Sequence, residues 1–170
     1  MLTVPERVAA RPLGGAPDRS NHRVSMADQA GDQKPTADRR SSDLLAELRH
    51  FTRGLERWRH PLNRKLLFTP GVHYLAEEAG AHWLIDVIAS WLPSSEFAAA
   101  ARHDSRLLDI QFWKLTVKGD KSATLTAVAD SGEPPFIRQA IEFTDFPLAE
   151  IDLYCVFGGT HSTLMLPSEY

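Results

Sequence analysis

Apolar residues recur along this chain in two different rhythms, and the change of rhythm divides it. In "SSDLLAELRHFTRGL", Leu44, Leu45, Leu48, Phe51 and Leu55 fall three or four positions apart, the spacing of one helical face. Ser41, Ser42 or Asp43 is placed to cap that helix, and Gly54 marks its end. "RHPLNR" reads as a turn around Pro61. In "KLLFTPGVHYLAEE" two short β-prone runs flank Thr69-Pro70-Gly71. Pro-Gly is a strong turn signal, so this stretch is expected to be a β-hairpin. Gly80 then precedes the clearest helix, Ala81 to Leu92, in which Trp83, Leu84, Ile85, Val87, Ile88, Trp91 and Leu92 fill one arc. His82, Asp86 and Ser90 occupy the other. Pro93 helps to stop it, and "SSEFAAAARH" adds a short helix capped by Ser94 or Ser95.

After residue 109 the period falls to two. Trp113, Leu115 and Val117 alternate with polar neighbours; so do Ala123, Leu125 and Ala127, then Ile137, Ile141 and Phe143, then Ile151, Leu153, Cys155 and Phe157. Gly119-Asp120, "SGEPP", Pro147 and Gly158-Gly159 separate these runs, and "TLMLP" supplies a last short strand. Regular alternation implies strands with one face toward a core. The expected fold is α+β: an antiparallel β-sheet of five to seven strands, ending in a C-terminal meander, with two or three helices packed on one face. No βαβ rhythm supports a Rossmann-type sheet, and no internal repeat is present.

Composition adds a boundary. Residues 1–40 have no apolar period and are rich in Pro, Gly, Ala, Arg, Asp and Ser. They are expected to be a disordered extension, with Met26 as an alternative start, and residues 41–170 to form one α+β domain. The extension carries seven basic and five acidic residues, a net of +2; the rest carries twelve and seventeen, a net of −5. A mildly acidic domain is a poor general binder of phosphate backbones. Cys155 is the only cysteine. It excludes an intramolecular disulfide and a thiolate zinc cluster within the chain, and it fits a reducing compartment. No apolar run reaches a membrane-spanning length and no secretory signal is visible, so a cytoplasmic location is expected.

Candidate chemistry is sparse. "GVHYLAEEAGAHWLIDVIASW" holds His73, Glu77, Glu78, His82 and Asp86. The two histidines lack the i,i+4 spacing of a helical zinc motif. As a strand, the segment puts His73 and Glu77 on one face, while His82 and Asp86 are i,i+4 neighbours on the wet side of the next helix. These four residues form the candidate polar site, weighed against a plain solvated face. The stretch from Arg49 to Lys65 has six Lys or Arg, one Glu, two His and one Trp, a net of +5. Arg57, Trp58, Arg59, Arg64 and Lys65 are its candidate binding residues, with Trp58 available for stacking; the plain alternative is a solvated helix face and loop. Glu142, Asp145, Glu150 and Asp152 are read as strand ends facing water, or as a complement to the basic stretch of a second copy. Cys155 shares the apolar face of Leu153 and Phe157, so it is read as core. No GxSxG, P-loop, GxGxxG or deaminase zinc motif occurs, and neither cofactor nor metal is expected.

Four phrases in order, "HPLNRKLLFTPGVHYLAEEAGAHWLIDVIASW", "FWKLTV", "IEFTDFPLAEIDLYCVFGG" and "LMLPSEY", resemble an uncharacterised bacterial protein family, domain of unknown function 6876, over about residues 44–170. The resemblance implies a small bacterial protein, often associated with mobile elements or phages, and carries no catalytic residues across. The expected function is a non-enzymatic binding or accessory protein that meets a protein partner or itself. The alternatives are an enzyme with an unrecognised His/carboxylate site and a nucleic-acid binder using Arg49–Lys65. Nucleic acid is not the favoured partner, and no membrane partner is expected.

Overall fold

A computed structural model describes residues 37–170. The expected extension lies outside them, Met26 included, apart from residues 37–40. Those four open the first helix, α1 (Ala37–Leu48). It starts before the anticipated Ser41 boundary, and Ser41 Oγ donates to the Pro147 carbonyl at 2.6 Å. Leu44 and Leu48 are buried, whereas Leu45 is exposed and Leu55 lies beyond the helix in solvent. The apolar face therefore ends a turn earlier than its spacing suggests.

Seven strands form one sheet in the order β1-β2-β7-β6-β3-β4-β5: β1 (Trp58–Arg59), β2 (Leu66–Phe68), β3 (Ile110–Val117), β4 (Ala123–Val128), β5 (Ile137–Ile141), β6 (Glu150–Phe157) and β7 (Ser162–Met165). All neighbours are antiparallel except β2 and β7. Those two can run parallel because the long chain between them carries the helices and most of the sheet. β3, β4 and β5 follow as a meander, and β6 then returns beside β3. The four strands thus have Greek-key order. The return segment brings Phe146 and Leu148 into the core.

The alternation sets the layers. Trp113 pairs with Ala127 and Leu153, and Leu115 with Leu125 and Ile151. These residues face the helices, and all but the partly buried Ile151 are buried. Helix α3 (His82–Trp91) places Leu84, Ile85, Ile88 and Ala89 in the same cluster, and Trp91 Nε1 donates to Gln139 of β5 at 2.7 Å. Ser94 caps α4 (Ser95–His103) by accepting the Phe97 N–H. Phe143 falls beyond β5 and is exposed.

The expected hairpin at Thr69-Pro70-Gly71 is a strand followed by a helix, α2 (Pro70–Glu78). Pro70 stands in the first turn, where its missing N–H costs nothing and its φ already suits a helix. Val72, Leu75, Ala76 and Ala79 are buried at three- and four-residue spacing, a helical stripe that outweighs the weaker two-residue alternation. Gly80, at φ +60°, ends α2. Its N–H donates to Glu77 and the Ala81 N–H to Ala76, the paired bonds of a Schellman cap. At the other end of α2 sits a side chain from the C-terminus. Glu169, 2% exposed, accepts from Thr69 Oγ1 at 2.5 Å, Gly71 N–H at 3.0 Å and Leu166 N–H at 3.1 Å. A carboxylate there satisfies otherwise orphaned donors and suits the positive end of the helix. With α2 the described residues form four α-helices, one more than the pattern suggested.

Candidate functional site

Because α2 is a helix, His73 and Glu77 are i,i+4 neighbours, with His73 Nε2 3.8 Å from Glu77 Oε1. The Schellman turn brings the start of α3 back beside them, and His82 Nε2 lies 2.9 Å from the same oxygen. Trp58 of β1 stacks on His73, with ring centroids 4.6 Å apart and planes 19° apart. The Phe68 ring is nearly parallel to His73 at 6.1 Å, and the His82 ring meets His73 edge-on at 6.4 Å. One surface patch therefore joins Trp58 to His73, Glu77 and His82, two candidate groups that the sequence keeps apart. Trp58 is 37% exposed; the His82 imidazole and the Glu77 carboxylate are open to solvent, and His73 is partly buried.

Asp86 does not join this patch. It pairs with His60, whose Nε2 lies 2.8 Å from Asp86 Oδ1. His60 Nδ1 accepts the Asn63 N–H at 2.9 Å. That bond requires an unprotonated Nδ1, so the network assigns the proton to Nε2, which donates to Asp86. Both ring nitrogens are thus committed, and a buried imidazole with no free nitrogen is a structural bracket, not a general base. Asn63 completes the bracket by donating from Nδ2 to the Ala89 carbonyl at 2.9 Å. Sequence reasoning missed His60; its only signal is the short "HPLN" turn, in which a histidine three residues before an Asn N–H can bond it.

The basic stretch divides in the same way. Arg57 donates to the carbonyls of Gly54 and Glu56, and Arg59 to that of Arg64 at 2.6 Å. Arg59 also reaches His161 Nε2 at 3.0 Å. Arginine can only donate, so that nitrogen accepts. Trp58 belongs to the patch, but Arg59, the next residue of β1, turns to the opposite face of the sheet, and Arg64 and Lys65 line a cavity of about 530 Å³ beside His60, Asp86 and Ser90.

The acidic residues separate as well. Glu150 and Asp152 flank Lys114 at 3.0 and 3.7 Å, and the Glu150 hydrogen bond leads the effects that hold the Lys114 ammonium above its ordinary range. Asp145 lies elsewhere. It lines a cavity of about 610 Å³ with Asp43 and Glu47 of α1, Glu78 of α2, Arg40 and Tyr74. Burial, then Glu78 and Glu47, push the Tyr74 phenol up. Cys155 is fully buried, and burial pushes its thiol up to about 12, which removes it as a nucleophile. Among the described residues, no group of three or more His, Cys, Asp or Glu side chains is placed to hold a metal ion. The described cavities do not take in Trp58, His73, Glu77 or His82.

The model of a family of unknown function, DUF6876, matches residues 42–170. No curated protein and no solved structure matches the chain.

Proposed function

We propose that this chain, which belongs to the DUF6876 family of unknown function, is a small non-enzymatic binding protein. It engages a protein partner through the patch of Trp58, His73 and His82. The observation that carries the reading is the Trp58–His73 stack. It holds an aromatic surface partly exposed at the sheet edge, outside the cavities described above. Pre-ordered aromatic side chains are what interface anchors are made of. The enzymatic alternative is weaker because the one buried imidazole among the described residues has no nitrogen to spare and the one thiol is sealed in the core. The nucleic-acid alternative is weaker because Arg57 and Arg59 spend donors on the protein's own carbonyls and Arg64 and Lys65 turn to another cavity. No helix among the described residues is long and apolar enough to cross a membrane. A cytoplasmic, bacterial and mobile-element setting belongs to the proposal and rests on the resemblance and the cysteine count.

Quantitative co-purification from the native cell tests it, comparing the tagged wild type with Trp58→Ala and His73→Ala. A specific protein enriched by the wild type and reduced at least about tenfold by each variant is expected, as for an interface anchor. Equal recovery would refute the patch, and recovery of RNA or DNA in place of protein would favour the nucleic-acid reading.

A further inference from the structure

Where β3 begins and β6 finishes, α4 and the 3₁₀ turn that follows it, Ser105–Leu108, lie beside the end of the sheet. A cavity of about 240 Å³ remains there, walled by Leu92, Phe97, Leu107, Leu108 and Phe157. One part of the lining is not apolar. Gln111 of β3 also faces the cavity and is 2% exposed. Its Nε2 donates to the Leu107 carbonyl. That bond fixes the orientation of the amide, since the reverse would set two oxygens against each other. Oε1 is then left buried with no hydrogen-bond partner among the described residues, and an acceptor sealed away without a donor is costly. Ser162, the other polar residue of the lining, has its hydroxyl engaged by the buried Cys155 thiol. Trp113 Nε1 also lacks a partner among the described residues, but Trp113 does not line this cavity. Leu108 and Phe157 are both exposed as well as lining, so they mark the mouth. A second cavity of about 440 Å³ shares Leu92, Phe97 and Leu108, and the apolar space therefore continues along α4.

We infer that this cavity binds a small, neutral, largely apolar molecule that presents one N–H or O–H donor to Gln111 Oε1, such as an aromatic bicycle with a single ring N–H. The walls supply burial and the amide supplies selectivity, the usual division of labour in a ligand pocket. The size agrees. An apolar cavity of about 150 Å³ takes benzene, so one of about 240 Å³ has room for two fused rings. No charged side chain lines it, and an ionic ligand would lose its hydration without gaining a counter-charge. A ligand with acceptors only would set a lone pair against Oε1 and leave it unsatisfied. This site is separate from the Trp58 patch, and neither reading rests on the other.

Titration of the isotope-labelled full chain, followed by amide NMR, provides the test, with indole and benzofuran as the two probes. They share one bicyclic frame, and benzofuran carries a ring oxygen where indole has its N–H. Benzofuran is the less polar, so burial alone would favour it. Indole is expected to shift the Gln111 side-chain amide and the backbone amides of Leu107, Leu108 and Phe157. It is expected to bind roughly tenfold or more tightly than benzofuran, the effect of one hydrogen bond to a buried acceptor. Gln111→Met keeps the length of the side chain and removes Oε1, and is expected to cut that preference to about threefold or less. Should that variant fail to fold, as circular dichroism would show, the wild-type comparison still decides. Absence of these shifts at roughly millimolar indole would overturn the inference. So would equal affinity for the two probes, which would leave Oε1 to water, or a preference unchanged in Gln111→Met.

Discussion

Replacing Gly71 by alanine separates two opposed predictions. Gly71 is a helical residue with ordinary backbone angles, since it is absent from the positive-φ glycines. Helix propensity alone therefore predicts that Gly71→Ala stabilises the protein by about 1 kcal/mol. The packing predicts the reverse. A Cβ built there would lie 2.7 Å from Glu169 Oε2 and 2.9 Å from Glu169 Cδ, and closer still to Leu166 Cδ1, where unstrained carbon contacts need about 3.5–4.0 Å. Leu166 is 3% exposed and has little room to retreat. The carboxylate cannot withdraw without releasing Thr69, Gly71 or Leu166. Overpacking of this kind costs about 1–3 kcal/mol, and a buried donor left without its acceptor costs about 1–3 kcal/mol more. After the propensity gain, the net loss is about 1–5 kcal/mol. Urea denaturation is expected to show a lower midpoint with an unchanged slope, and the melting temperature should fall by roughly 3–20 °C. Gly71→Ala in combination with Glu169→Ala should lose less stability than the two single losses added together, because the second change removes part of the clash. A Gly71→Ala variant as stable as wild type would refute the proposed seating of Glu169 on α2.

Three further outcomes follow from the same geometry. Cys155 should react negligibly with Ellman's reagent in the native protein at pH 8 and at once in urea, because burial holds its thiol near 12 and the thiolate is the reactive form; prompt native labelling would contradict the burial. His60→Ala should cost about 2–4 kcal/mol in chemical denaturation, since it orphans the Asn63 N–H and leaves a cavity. Asp86→Asn should cost less than about 1 kcal/mol, because an exposed amide oxygen can still accept from Nε2; equal losses would show that the ion pair, not the bracket, matters. Leu84→Ala and Ile88→Ala, both in the core beneath the sheet, should each cost about 2–5 kcal/mol by thermal melting.

The elements that could be read from sequence are those whose pattern reports a single neighbour layer. Trp113, Leu115, Leu125, Ala127, Leu153 and Cys155 are all buried, because each alternation was written by one helical layer. The Trp83 helix was legible for the same reason. What was not legible depended on partners distant in the chain. Thr69-Pro70-Gly71 suits a turn as well as a helix start, and the arbiter is Glu169, 98 residues from Gly71. The β2–β7 pairing and the return of β6 to β3 are equally non-local, so no local period announces them. Phe143 continues the β5 alternation yet meets no core, because the strand ends at Ile141.

The site was legible as residues but not as groups, and the misread segment explains why. Had "GVHYLAEE" been a strand, His73 and Glu77 would stand two pleats apart, with His82 and Asp86 paired on their own helix. As a helix, α2 makes Glu77 the common neighbour of both histidines and turns His73 under Trp58. Asp86 is left to His60. One local choice of secondary structure thus decides which side chains form the patch, and a carboxylate near the C-terminus supports that choice by holding the first turn of α2. His73 is itself tied to that turn, since its N–H donates to the Thr69 carbonyl at 2.9 Å. The Glu169 clamp therefore positions the proposed binding surface as well as the fold, without touching anything that binds there. Loosening it should weaken partner capture even at temperatures where the domain stays folded, whereas core losses at Leu84 should not until the domain melts.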